Sequence, residues 1–315
     1  MLWKILLAVA CAYIFFIAAP AIVAGITIFK GRPGTGFDKL VSPGGTFCEF
    51  ADIMCPARER LLALPRQNVS CTSTDGLTLT GEYWDLGKER TAIFFHGYRS
   101  DPMVNFAVEA DIFATEGYNL LVVRQRGHEE GSRAASAMGL KEQFDVLSWN
   151  EWALSRAGVK QTVIYGMSMG GATIAYASDK LDPAVTEALI IDSGYISPYA
   201  QIYGDCKSRH LPGPLLMPVI RLFARLRYGI DIKQQTDASL KNAKVPCFFI
   251  HGTGDRTVPF KQGKQNFEAC SARKALFTAE GADHTKAFLT EPARAEKEIF
   301  EFIRKPENKE EIQNE

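Results

Sequence analysis

The chain has 315 residues, enough for one large α/β domain with an additional segment. Its 36 Lys and Arg balance 36 Asp and Glu, and this zero net charge argues against nucleic acid as a partner, which would require a basic surface. The seven cysteines form no CxxC pair and no His/Cys cluster with zinc spacing, so we expect no metal ion.

An uncharged apolar run, residues 5–29, lies near the N-terminus between Lys4 and Lys30. Its length of about 25 residues exceeds the ~20 that a helix needs to cross a membrane. A cleaved signal peptide is the alternative, because Ala19-Pro20-Ala21 fits a cleavage site, but the apolar run continues beyond it. We therefore predict a single-pass membrane anchor over residues 1–30, dispensable for folding. The basic residues on its two sides nearly balance, which leaves its orientation open.

The chain after the anchor divides by composition. Residues 31–65 mix Gly, Pro and polar residues with short apolar patches, and we predict a juxtamembrane linker with one short helix near Ala57–Leu64. The folded domain is predicted to cover residues 66–305. Residues 306–315 form a polar tail.

Short apolar runs recur through the predicted domain and indicate strands. The first, "DGLTLTGEYW" (Asp75–Trp84), alternates apolar and polar residues as a half-buried strand does. The others are nearly continuous, which suits parallel strands buried on both faces: Thr91–Gly97, Asn119–His128, Thr162–Gly166, Ala188–Gly194, Cys247–Gly252 and Ala275–Gly281. Helix-length stretches lie between them, among them Val104–Glu116, Lys141–Ala157 and Thr285–Ile303. This alternation predicts a doubly wound α/β fold with a mostly parallel sheet.

One connection is too long for a single crossover. About fifty residues separate "IIDSGY" from "CFFIHG", and we predict an inserted helical cap over residues 196–244. Within it, "PLLMPVIRLFARLRYG" has apolar residues at helical spacing, and Pro218 is expected to limit or kink that helix.

The stretch "VIYGMSMGGA" (Val163–Ala172) places Ser168 in a G-x-S-x-G motif between a predicted strand and a helix-compatible segment. That placement is typical of a nucleophile elbow, in which a strained serine exposes its hydroxyl above the carboxyl edge of the sheet. Gly166 and Gly170 would let strand and helix pack closely around the turn. The amide of Met169 would then lie at a helix N-terminus, where it can stabilise an oxyanion.

A serine nucleophile needs a base that an acid orients, and in this type of fold both follow the serine. Three histidines follow Ser168. His210 lies in the predicted cap, and His251 lies in or at the tip of an apolar strand, where a structural role is the better interpretation. His284 follows the last predicted strand, in "EGADHTKAF", and is the favoured base.

The candidate acid is Asp255, in the loop after the preceding strand. Its rivals are Asp192, at the end of an earlier strand, and Asp283, adjacent to the candidate base. A second oxyanion donor is expected from the loop after the strand "TAIFF". His96-Gly97-Tyr98 follows that strand, and the Tyr98 amide is the candidate donor.

The motifs that carry these residues resemble the α/β-hydrolase superfamily over residues 70–303. They are HGYRSD (His96–Asp101), RQRGHEEG (Arg124–Gly131), GMSMGG (Gly166–Gly171), HGTGDRTVP (His251–Pro259) and GADH (Gly281–His284). The chain is similar to the serine-aminopeptidase-like and monoacylglycerol-lipase-like group, and closer still to bacterial members with an N-terminal membrane anchor. It departs from the group at Arg124, often an acidic residue there, and at Glu129, typically glycine.

The resemblance implies a serine hydrolase without cofactor. Ser168 would be the nucleophile, Asp255 the acid and His284 the base, with the amides of Tyr98 and Met169 as the oxyanion hole. We expect cleavage of carboxylic esters or related acyl compounds, as in esterases and lipases, so small acyl molecules, lipid-like ones included, are the expected substrates.

The apolar face of the cap helix is predicted to bind the apolar part of the substrate, with Leu216 and Phe223 as candidates. An aminopeptidase-type serine peptidase is one alternative, but it would need clustered acids in the cap, and Asp205, Asp231 and Asp237 are scattered. A non-catalytic binding protein is another, and the intact Ser-Asp-His set argues against it.

Overall fold

An eight-stranded sheet lies at the centre of the structure, a computed structural model that describes residues 1–129 and 134–305. The strand order is β1-β2-β4-β3-β5-β6-β7-β8. Pairs β1–β2 and β2–β4 are antiparallel and the other pairs are parallel, which confirms the predicted fold class. The strands are β1 Gln67–Thr72, β2 Thr78–Trp84, β3 Arg90–Phe95, β4 Asn119–Arg124, β5 Gln161–Met167, β6 Thr186–Asp192, β7 Cys247–Gly252 and β8 Lys274–Ala279.

Helices cover both faces of the sheet. They are α1 Leu2–Tyr13, α2 Ala19–Phe29, α3 Phe37–Val41, α4 Ala51–Ala63, α5 Pro102–Thr115, α6 Glu142–Leu154, α7 Met169–Ala177, α8 Pro198–Ser208, α9 Gly213–Tyr228, α10 Asp237–Leu240, α11 Phe260–Ala269, α12 Ala287–Thr290 and α13 Pro292–Arg304. Successive side chains of a strand point to opposite faces, so Phe94 packs with α5 and α13 while Ile93 and Phe95 pack with α6 and α7. Both faces of the central strands are therefore buried, whereas the edge strand β1 is largely exposed.

Three elements differ from the sequence-based expectations. The edge strand β1 was not predicted. The stretch Thr285–Ile303 forms two helices, because Pro292 lacks an N–H and occupies the first position of α13. Helix α9 continues through Pro218, so that proline does not limit it. The predicted polar tail, 306–315, and the end of the RQRGHEEG motif, 130–131, lie outside the described residues.

Helix α4, which lies within the predicted linker of residues 31–65, packs on the domain. Met54, Ala57 and Leu61 of α4 are at most 1% exposed and share a hydrophobic cluster with Phe94. The indole N–H of Trp84 donates to the Leu61 carbonyl at 3.0 Å. Helix α4 therefore contributes to the core of the domain.

The helical stretch Leu2–Phe29 has a mean hydropathy of 2.5 and is the one helix among the described residues long and apolar enough to cross a membrane. A π-helical turn, Ile14–Ala18, joins α1 to α2 within it. One face of its final turns is buried against the cap: Ala21 and Phe29 have no exposed surface, and a Cβ on Gly25 would lie 2.7 Å from Cδ1 of Phe223 in α9. The end of this helix is therefore part of the cap's hydrophobic cluster.

Candidate active site

Ser168 lies at the turn between β5 and α7, with φ 55° and ψ −111°. Such a backbone is strained for a residue with a Cβ and persists only where the surroundings enforce it. Two glycines permit the turn. A Cβ on Gly166 would lie 2.2 Å from the Gly170 carbonyl oxygen, and one on Gly170 would lie 1.7 Å from the Phe95 carbonyl oxygen. Side chains at these positions would force the strand and the helix apart.

Ser168, His284 and Asp255 are joined by hydrogen bonds. Nε2 of His284 is 2.9 Å from the Ser168 hydroxyl, and Nδ1 is 2.7 Å from Oδ2 of Asp255. The three residues follow β5, β8 and β7, and the carboxyl ends of these parallel strands meet at one edge of the sheet. With the proton on Nδ1, Nε2 can accept the serine hydroxyl's proton, as nucleophilic catalysis by serine requires.

Asp255 has a buried carboxylate held by several donors. The backbone N–H groups of Thr257 and Val258 donate to Oδ1 at 2.9 and 2.8 Å, and Nε2 of His251 lies 3.3 Å from Oδ2. Burial opposes ionisation, but hydrogen bonds from His251 and His284 outweigh it and hold the pKa of Asp255 at about 2. The sequence did not assign His251 to the site. The sequence signal that could have indicated its role is its position four residues before Asp255, in the same strand and following loop.

The rival acids are placed differently. Asp192 is fully buried, with its carboxylate accepting the hydroxyls of Tyr165 at 3.3 Å and Ser193 at 2.8 Å. The carboxylate of Asp283 accepts the backbone N–H of His284 at 2.8 Å. Within the described residues, the carboxylate hydrogen-bonded to the His284 ring belongs to Asp255.

We expect Asp192→Asn to change how stability depends on pH. Burial raises the pKa of Asp192 from 3.8 to about 6 in the folded protein, so the folded state binds this proton more tightly than the unfolded chain. Ionisation of Asp192 therefore removes stability as the pH rises from about 4 to about 6. Asparagine cannot ionise, so the variant's Tm should rise relative to wild type across that window. Thermal unfolding at several pH values measures the difference in Tm between the variant and wild type. A difference in Tm that stays constant with pH would contradict the raised pKa of Asp192.

Two backbone amides were predicted to form an oxyanion hole. Met169 is the first residue of α7, so its N–H is not used by the helix's own hydrogen bonds. Tyr98 follows Gly97, where an added Cβ would lie 3.5 Å from Cβ of Ser168. The Gly97 N–H donates to Oδ1 of Asn105 at 2.8 Å, which fixes the loop next to the elbow. The roles of the two amides remain a prediction.

The RGH loop after β4 is held by a buried ion pair. Arg126 donates to Asp145 through Nε at 2.7 Å and to Asp75 through Nη1 at 2.7 Å. Nδ1 of His128 lies 3.0 Å from the Arg126 carbonyl oxygen. These contacts favour a structural role for the loop. No group of three or more metal-ligating side chains occurs in the described parts of the chain.

The two cap residues proposed to contact substrate have other neighbours. Leu216 is 8% exposed and belongs to the same hydrophobic cluster as Met169. The ring of Phe223 packs against Gly25 of α2 and lies 5.8 Å from that of Tyr228. Contact of Leu216 and Phe223 with substrate therefore stays a prediction, and Phe223 contacts the N-terminal helix.

Comparison with known proteins identifies the fold. No family model matches the chain. The structure is similar to an esterase, PF2001, of Pyrococcus furiosus, with a TM-score of 0.64 and 20% sequence identity, over 87% of this chain and 97% of that one. Together with the strand order and the elbow, this similarity shows that the chain has the α/β-hydrolase fold.

Curated proteins also match this chain in sequence. Human protein ABHD12B is 23% identical over 189 residues, and the match covers 56% of this chain and 48% of that protein. This chain thus matches about half the length of that relative. An uncharacterized membrane protein of Saccharomyces cerevisiae, YNL320W, is 22% identical over 230 residues, covering 72% of this chain and 76% of that one.

Proposed function

We propose that this protein is a serine hydrolase that cleaves carboxylic esters or related acyl compounds through an acyl-enzyme. The observation that carries the proposal is the hydrogen-bonded chain from Ser168 through His284 to Asp255, with contacts of 2.9 and 2.7 Å, at a nucleophile elbow. The similarity to an esterase structure supports it.

The mechanism follows from this geometry. The Ser168 hydroxyl attacks the acyl carbonyl while Nε2 of His284 takes its proton, then delivers it to the leaving group. The ionised Asp255 holds the Nδ1 proton and stabilises the imidazolium. The amides of Met169 and Tyr98 donate to the developing oxyanion. Water, activated by His284, then attacks the acyl-enzyme and releases the acid.

We also propose that the helix Leu2–Phe29 is a single-pass membrane anchor. Its final turns pack on the cap, and the part before them, residues 2–20, is about as long as the ~20 residues needed to span a bilayer. One relative is also named a membrane protein. The substrates would then be acyl compounds located at the membrane, including lipid-like compounds.

Two of the three cap carboxylates, Asp231 and Asp237, are unsuited to bind the α-amine of an aminopeptidase substrate. Asp231 is paired with Arg221 at 2.8 Å and also contacts Arg225, and Asp237 is paired with Lys241 at 2.7 Å. These two acids are therefore neutralised by neighbouring cations.

A substrate panel tests the reaction class. The full-length protein in detergent should hydrolyse p-nitrophenyl esters of rising acyl length, with Ser168→Ala giving the background rate. Aminoacyl p-nitroanilides should stay at that background. Turnover of the anilides in place of the esters would assign the protein to the peptidases.

A further inference from the structure

The C-terminal end of the apolar N-terminal helix is capped by the loop that follows β3. The last carbonyl groups of a helix have no partner within it and need donors from elsewhere. The Tyr98 hydroxyl donates to the Ile28 carbonyl at 2.6 Å. Nη2 of Arg99 donates to the Thr27 carbonyl and lies 3.3 Å from that of Lys30. A cation at this end also complements the helix dipole.

The same loop carries the amide assigned to the oxyanion hole. On its inner side, Gly97 lies against Ser168 and is held by Asn105. On its outer side, the side chains of Tyr98 and Arg99 hold the helix end. Arg99 has φ 51°, a left-handed backbone that is unfavourable for a residue with a Cβ and needs support from its surroundings. The helix carbonyls that bind the Arg99 guanidinium supply that support.

We propose that Tyr98 and Arg99 are positioning residues, which fix the oxyanion loop by capping the N-terminal helix. The end of the N-terminal helix thereby supports the oxyanion loop of the proposed active site. An oxyanion donor acts only within about 2.7–3.1 Å of the developing charge, so a small shift of the Tyr98 amide weakens it. The inference rests on the proposed function, because that amide affects the rate only if Ser168 attacks a carbonyl.

Tyr98→Phe tests this inference in the full-length protein, because it removes one hydroxyl and leaves the backbone amide. With p-nitrophenyl butyrate as substrate, kcat should fall about tenfold while KM changes less than about twofold. This loss of kcat is smaller than the 10²–10³-fold loss seen when an oxyanion donor is removed altogether. Arg99→Met should act in the same direction. Arg99→Lys keeps a cation that can donate to the Thr27 carbonyl, so it should restore part of kcat.

Tyr176→Phe is the matched control. The Tyr176 hydroxyl also donates to a backbone carbonyl at 2.7 Å, but this carbonyl belongs to Gln234 of the cap and not to the N-terminal helix. The control should lower Tm about as much as Tyr98→Phe and leave kcat within about twofold of wild type. Wild-type kcat in Tyr98→Phe and Arg99→Met, or losses of kcat that follow Tm in all variants, would overturn the inference. A wild-type protein inactive on every ester would instead refute the proposed function.

Discussion

Asp255→Asn is expected to lower the rate of acyl transfer by about three to four orders of magnitude. In the wild-type protein, Nδ1 of His284 lies 2.7 Å from Oδ2 of Asp255. The amide nitrogen that replaces this oxygen in asparagine cannot accept the Nδ1 proton. The imidazole would be left in the wrong tautomer and the imidazolium without its counter-charge, although the loop keeps its shape. Turnover of one activated ester by the purified full-length variant measures the loss.

Two asparagine variants control for the change of charge. Asp283→Asn should lose far less activity, because that carboxylate binds a backbone N–H and not the imidazole. Asp192→Asn should act mainly through stability, since its carboxylate binds the hydroxyls of Tyr165 and Ser193. Near-wild-type turnover in Asp255→Asn together with collapse in Asp192→Asn would move the acid to the end of β6.

The sheet and the elbow were predictable because their determinants are local. Buried parallel strands are continuous apolar runs, and β7 occupies the predicted range Cys247–Gly252. The G-x-S-x-G motif has two glycines because two backbones would otherwise collide at Gly166 and Gly170. Ser168, Asp255 and His284 follow β5, β7 and β8 in the predicted chain order. These strands are parallel, so the three residues meet at one edge of the sheet.

The segments before β1 were not predictable in this way, because their positions depend on contacts with distant parts of the chain. Helix α4 has few sequence features that distinguish it from a linker helix, yet Leu61 is buried beneath Trp84. An apolar run predicts a helix that can cross a membrane, but not that Gly25 packs on Phe223 or that Tyr98 caps Ile28. The end of the helix therefore packs against the domain, and the dispensability of residues 1–30 for folding stays a prediction.

Covalent labelling of Ser168 tests the central claim most directly. A fluorophosphonate reacts when an activated serine oxygen displaces fluoride at phosphorus, so labelling requires the hydroxyl, the base and the exposed turn together. We expect mass spectrometry of the labelled full-length protein to find one adduct, on the peptide containing Ser168, and none in a folded Ser168→Ala variant. An unlabelled wild-type protein, or an adduct that persists in Ser168→Ala, would contradict the assignment of Ser168 as the nucleophile.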